Sequence, residues 1–168
     1  LGPRRKYPKG ITKLYRKFLF YKHFFSIEMP LIICEGKTDI IYLKCALRQL
    51  APIYKEFVKP NDNSTDFKIK FLNISKNLRD VFSMSTGTSG LYHLMEIYEQ
   101  NMKIFKGIGK SFPVIMLVDN DDGADQIKKK LNINKNEGLN SFYYFAENLY
   151  ISFVSKTKDK SIEDLFDK

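Results

Sequence analysis

Cysteine and histidine are scarce in this chain, two of each in 168 residues. Cys34 and Cys45 lack CxxC spacing and have no histidine nearby, which leads us to expect two reduced, buried cysteines in a cytosolic protein. Neither His23 nor His93 lies near a second good zinc ligand, so packing or surface roles are expected of both. No uncharged apolar stretch approaches the ~20 residues of a membrane span, and no signal-peptide pattern is present. Internal repeats and low-complexity segments are also missing. Acidic residues are outnumbered by basic ones, 19 to 28, which leaves a formal charge of +9 and a pI near 9.4. An acidic partner is therefore expected, with nucleic acid the leading candidate. The first residue is Leu1 in place of Met, so a piece of a longer chain is expected.

What is present is ordinary globular material, 43% hydrophobic and 28% charged. The length suits one domain with a real core. Leu1–Gly10 reads as a basic linker, and Ile11–Glu28 as a helix with Leu14, Phe18, Tyr21 and Phe25 at helical spacing. Lys13, Arg16, Lys17 and Lys22 are interleaved with its aromatics. We read this helix as a docking element covering the core or a neighbouring domain, because so many large apolar residues require burial. The alternative is a nucleic-acid contact, with phosphates on the cations and bases on the rings.

The stretch that organises the rest is Pro113–Gly123. The apolar run Val114–Val118 has the length and β-branched content of a strand buried on both faces. It breaks into Asp119, Asn120, Asp121, Asp122 and Gly123, an acidic cluster at a strand's carboxyl end, where open α/β sheets place their ligands. Two carboxylates ~4 Å apart repel by roughly 4 kcal/mol at an effective dielectric of 20. Such a set calls for a proton or a hard cation such as Mg²⁺. A solvated turn is the plain alternative. A calcium loop is excluded: counted from Asp119, the positions for its glycine and glutamate hold Ala124 and Lys130.

A second acidic position lies upstream. Leu31–Cys34 reads as a buried strand running into Glu35, with Asp39 in the first turn of the helix Ile40–Leu50. Gly36-Lys37-Thr38 invites a P-loop reading, but Leu31 stands where that loop needs glycine. Between the two acidic positions, Ala51–Asp66 reads as a surface loop, Phe67, Ile69 and Phe71 as a half-exposed strand, and Asn73–Met84 resists placement. Ser85–Gly90 opens a helix through Leu91, Leu94, Met95, Tyr98 and Met102. Its small residues, Gly87 and Thr88 among them, suit either a phosphate on free backbone N–H groups or a plain cap with Ser89 as the capping oxygen. Downstream lie a short basic helix (Ala124–Leu131), a strand (Ser141–Ala146) and the alternating Leu149, Ile151 and Phe153. A lysine run at Lys156, Lys158 and Lys160 follows, then a cap pairing of Ser161 with Asp164. This sequential pattern predicts an α/β fold, with parallel strands ending on one sheet edge and Glu35 facing the Asp119/Asp121 pair.

LIICEGKTD, with STGTSG and VIMLVDND downstream, resembles the TOPRIM domain of topoisomerases, bacterial primases and OLD-family nucleases. The likeness covers roughly residues 30–154. It implies a TOPRIM-like (Rossmann-like), mainly parallel sheet flanked by helices, spanning 30–168 after a docking segment at 1–29. It further implies Glu35 as general acid or base and Asp119 and Asp121 as holders of Mg²⁺ (or Mn²⁺). Asp39 stands where OLD-type nucleases place a residue for a second metal, and Glu147 resembles their later acidic ligand. Lys37, Gly87, Thr88, Lys156 and Lys158 become the expected substrate-phosphate contacts. One departure is that Gly123 comes a residue early and Asp122 is an extra carboxylate.

The run from Arg16 to Lys44 also resembles the joint between polymerase and TOPRIM segments in certain retron reverse transcriptases. That likeness implies a nuclease effector of anti-phage defence in the bacterial cytoplasm, with an upstream polymerase and its DNA–RNA product as partners. The alternative expectation is a non-catalytic module that binds nucleic acid or docks on a polymerase.

Overall fold

The computed structural model of the chain describes residues 9–61, 64–133 and 142–166. The expected linker up to residue 8 and the start of the strand at Ser141 lie outside the described residues. Five strands form one sheet in the order β4-β1-β5-β7-β6: β1 (Leu31–Ile33), β4 (Lys70–Leu72), β5 (Val114–Val118), β6 (Tyr143–Ala146) and β7 (Leu149–Phe153). The first four in that order run parallel, and β6 lies antiparallel on the edge. The architecture is thus α/β with a mostly parallel sheet, compatible with a Rossmann-like fold. In register, Ile33 of β1 sits beside Met116 of β5, so both strands deliver their next residues to the same edge.

Helices follow the strands as crossovers. They are α2 (Lys37–Gln49), α3 (Lys76–Phe82), α4 (Gly87–Met102) and α5 (Asp125–Lys130), the last preceded by a 3₁₀ turn at Asp122–Ala124. The chain steps one way across the sheet through α2 and the other way through α3, α4 and α5. Right-handed crossovers therefore put α2 on the opposite face from the rest. Burial agrees with this placement. Leu31, Ile33, Val114, Met116, Val118, Leu149, Ile151 and Phe153 are sealed beneath Leu78, Phe82, Leu91, Leu94, Met95 and Tyr98, whereas Ile32, Ile115, Leu117 and Tyr150 on the other face are only half-buried.

Within Asn73–Met84, which resists placement by sequence, α3 forms because Ser75 caps it, its Oγ accepting from the Leu78 N–H at 3.3 Å. The expected loop Ala51–Asp66 contains strands β2 (Val58–Asn61) and β3 (Ser64–Phe67), paired antiparallel. The expected strand through Phe67, Ile69 and Phe71 is split: Phe67 ends β3 and Phe71 belongs to β4. The two cysteines are free but not both buried, since Cys45 faces solvent on α2. His93 donates its Nε2–H to the Phe82 carbonyl at 3.1 Å, a packing role as expected.

The first helix, α1 (Lys9–Phe20), continues as a π-helical turn at Tyr21–Phe25. Phe20, Phe24 and Phe25 sink fully into the same core as the sheet, against Phe82 and Tyr98. Phe20, Phe24, Phe25 and Ile27 of the expected segment therefore belong to the same core as the strands. The rest of the expected docking face does the opposite: Leu14, Phe18 and Tyr21 stand exposed.

Candidate metal centre

Glu35 leaves β1 two residues after Ile33, and Asp119 leaves β5 immediately after Val118. The parallel register brings both to the carboxyl edge of neighbouring strands. The side chain of Glu35 is fixed from a third element. The Thr88 hydroxyl, buried in the first turn of α4, donates to Glu35 Oε2 at 2.9 Å. Gly87 precedes it at φ +69°, a left-handed conformation that suits glycine, and a Cβ there would stand 3.1 Å from Glu35 Oε1. Gly123 is used similarly: a Cβ on it would approach Thr88 Oγ1 to 3.0 Å and Asp121 Oδ1 to 3.1 Å. Two glycines thus let Glu35, Thr88 and the Asp121 loop close on one another. Ser89 does not cap α4, because the helix already begins at Gly87 and Ser89 falls inside its first turn.

The other carboxylates are oriented by backbone donors. Asp39, buried, accepts from the Gly36 N–H at 2.7 Å through Oδ2, a reach-back that shapes the turn between β1 and α2. Asp121 caps the 3₁₀ turn, its Oδ1 accepting from the Ala124 N–H at 3.2 Å. Asp119 accepts a hydrogen bond from the Ile162 backbone N–H. Despite that bond, burial first, then the charges of Glu35, Asp39 and Glu163, push the Asp119 carboxyl up to about 6. Burial and the Asp39 and Asp119 charges likewise push the neighbouring Cys34 thiol up to about 12. Negative charge converges here, as the sequence led us to expect.

Glu163 is the member that sequence reading missed. It opens a 3₁₀ turn, Glu163–Leu165, held by the Ser161–Asp164 pairing, in which the Ser161 N–H donates to Asp164 Oδ2 at 2.8 Å. That cap was legible, but its spatial address was not. The address is set by Asn120, whose buried Nδ2 donates to the Ser155 and Thr157 carbonyls at 3.0 Å each. Its backbone N–H donates to the Lys160 carbonyl at 3.0 Å, and its carbonyl accepts from the Asp159 N–H at 2.6 Å. Asn120 thereby clamps the lysine run onto the acidic loop. Lys158 pairs with the extra carboxylate Asp122 at 2.7 Å, on the exposed rim, and Lys156 is exposed alongside. Lys37 is exposed in the first turn of α2, at the same edge.

Glu147 does not join this set. The strand expected at Ser141–Ala146 is β6, which runs antiparallel, so its carboxyl end points to the opposite edge of the sheet. Glu147 sits in the β6–β7 turn just before Leu149, which pairs with Val114 at the start of β5. A five-residue strand, roughly 16 Å at 3.3 Å per residue, separates it from Asp119. There it pairs with Lys110 at 2.6 Å.

The donors at the carboxyl edge suit a hard divalent cation. They are oxygen atoms only, already crowded enough to raise one carboxyl, and beside them the buried Asn120 Oδ1 has no hydrogen-bond partner. Among the described residues no three His, Cys, Asp or Glu side chains are drawn tightly enough together to enclose an ion. Each of Glu35, Asp39, Asp119 and Asp121 is held by a protein donor instead. Among the described residues no helix is long and apolar enough to cross a membrane. Compared with known proteins, the chain matches no family model and finds no significant match among solved structures.

Proposed function

We propose that the chain is a TOPRIM-type nuclease domain that cleaves phosphodiester bonds with Mg²⁺ or Mn²⁺. The observation that carries this reading is the meeting of Glu35 with the Asp119–Asp121 loop across adjacent parallel strands. Asp119 and Asp121 would hold the cation, with Asp39 beside them. A divalent ion bound there supplies charge neutralisation at a phosphate oxygen and a nucleophilic water at neutral pH.

The chain's own groups divide the remaining work. Glu35, steadied by Thr88, exchanges a proton with the attacking or leaving oxygen. The high proton affinity of Asp119 in the metal-free state makes cation binding compete with protonation. Lys37 and Lys156 face solvent at the rim and can neutralise flanking phosphates, and Lys158 can exchange Asp122 for a phosphate. By the resemblance of the run from Arg16 to Lys44, the domain serves a retron reverse transcriptase as its effector against phage, with the polymerase and its DNA–RNA product as partners.

The test is cleavage. Purified protein is incubated with single- and double-stranded DNA and RNA in Mg²⁺, Mn²⁺ or EDTA. Metal-dependent cutting that Asp119→Asn abolishes is the expected result. Binding without cutting of any form would favour a non-catalytic module.

A further inference from the structure

The helix α1 is amphipathic in the wrong sense for a surface helix. At 100° per residue, Ile11, Leu14, Tyr15, Phe18 and Tyr21 fall within one arc of roughly 120°, and all five are exposed, by 42% to 69%. Lys13 and Arg16 fall on the far side with Phe20, which is fully buried against Phe82 and Tyr98, and Lys17 lies between the two faces. Arg16 confirms the direction, its guanidinium lying 5.9 Å from the Phe82 ring centre. The apolar stripe therefore faces outward, while Arg16 and Lys17 are half-buried and Lys13 and Lys22 are exposed, Lys22 at the end of the stripe.

Three features point to what covers the stripe. First, Ile11, Leu14, Phe18 and Tyr21 follow the alternating three–four spacing of a helix-pairing seam, which is complementary to itself across a two-fold axis. Second, from Ile11 to Phe18 no cation falls within the stripe, which disfavours a nucleic-acid strand, since that needs phosphate partners along the face that stacks its bases. Third, aromatic side chains of roughly 150–250 Å² each, about half exposed, give a stripe on the order of 500 Å². Two copies together then reach about 1,000 Å², the lower bound for a specific interface. We propose that the chain pairs with a second copy of itself through the outward stripe of α1. Segment 9–25 contains no acidic residue, and Lys17 and Lys22 border the seam. Like charges consequently oppose the pairing at low salt.

The measurement is sedimentation equilibrium of the chain from 1 to 200 µM, in 50 and 500 mM NaCl. A monomer–dimer equilibrium that tightens several-fold at the higher salt is expected, because screening relieves the flanking lysines. Leu14→Asp with Phe18→Asp should weaken it by 100-fold or more. Lys13→Glu, on the far side, should leave it within about twofold. Far-ultraviolet circular dichroism checks that the variants fold, as exposed positions permit. A monomer at every concentration and salt overturns the proposal, as does a dimer that the double variant leaves intact. Binding of a 20-nucleotide single strand or of vesicles with anionic lipid, lost in the double variant while the parent stays monomeric, would assign the stripe to that occupant and overturn it equally.

Discussion

Thr88 and Glu35 meet through one hydrogen bond of 2.9 Å, although 53 residues separate them in the chain. The bond ties the first turn of α4 to the end of β1, and Gly123 brings the acidic loop against the same hydroxyl. Thr88 is thus the joint on which the three segments of the site close.

Replacing Thr88 with Val keeps the shape and removes the donor. A part-buried hydrogen bond to a carboxylate oxygen is lost, at a cost of roughly 1–2 kcal/mol. Thr88→Val should lower the thermal midpoint accordingly and reduce cleavage at least tenfold, because Glu35 loses its fixed orientation. Thr88→Ser should restore both within about twofold. Equal activity in all three proteins would show that the bond does not position Glu35.

Asp119 gives a pH signature in metal-free buffer. Its carboxyl is raised from 3.8 to about 6, so the folded state holds the proton more tightly than the unfolded state. Below pH 4 both states are protonated and the group imposes no penalty. As pH rises from 4 through 6, the folded state must carry an unfavourable charge and stability falls. Asp119→Asn should therefore match the parent near pH 4 in EDTA and melt progressively higher than it above pH 6. Parallel melting curves across that range would contradict the crowding of charge described here.

The expected ligand Glu147 offers a negative control. At the amino edge it pairs only with Lys110 among the contacts described, and both side chains are partly solvated. Glu147→Gln should leave the rise in melting temperature on adding Mn²⁺ unchanged and cost no more than ~1 kcal/mol of stability. Loss of the Mn²⁺ shift in this variant would return Glu147 to the metal site.

The contrast between Glu147 and Glu163 marks how far the sequence could be read. Glu35 and Asp119 were legible because each follows a short apolar run, and parallel strands must end on a common edge. Glu147 misled because β6 has the same apolar signature as the parallel strands, and nothing in such a run tells its direction. Direction came from pairing with β7. Glu163 was invisible because its place depends on Asn120, a residue between two louder carboxylates, reaching carbonyls 35 and 37 positions away. The aromatic helix was legible in part. Of its expected face, Phe25 reached the core while Leu14, Phe18 and Tyr21 look outward, because the π-helical turn at Tyr21–Phe25 breaks the 3.6-residue period and Phe20 rather than Phe18 enters the core.

The most direct test of the central claim is a paired measurement on Glu35→Gln. The amide keeps the size of the side chain and can still accept from Thr88, but it cannot carry a proton in the same way. Nucleic-acid affinity is read by gel shift in Ca²⁺, and cleavage in Mg²⁺ and Mn²⁺, for the variant and the parent. The account predicts affinity within about threefold, because lysine and arginine contacts to phosphate supply most of it, and cleavage lowered by ~100-fold or more. Equal cleavage by the two proteins would contradict it.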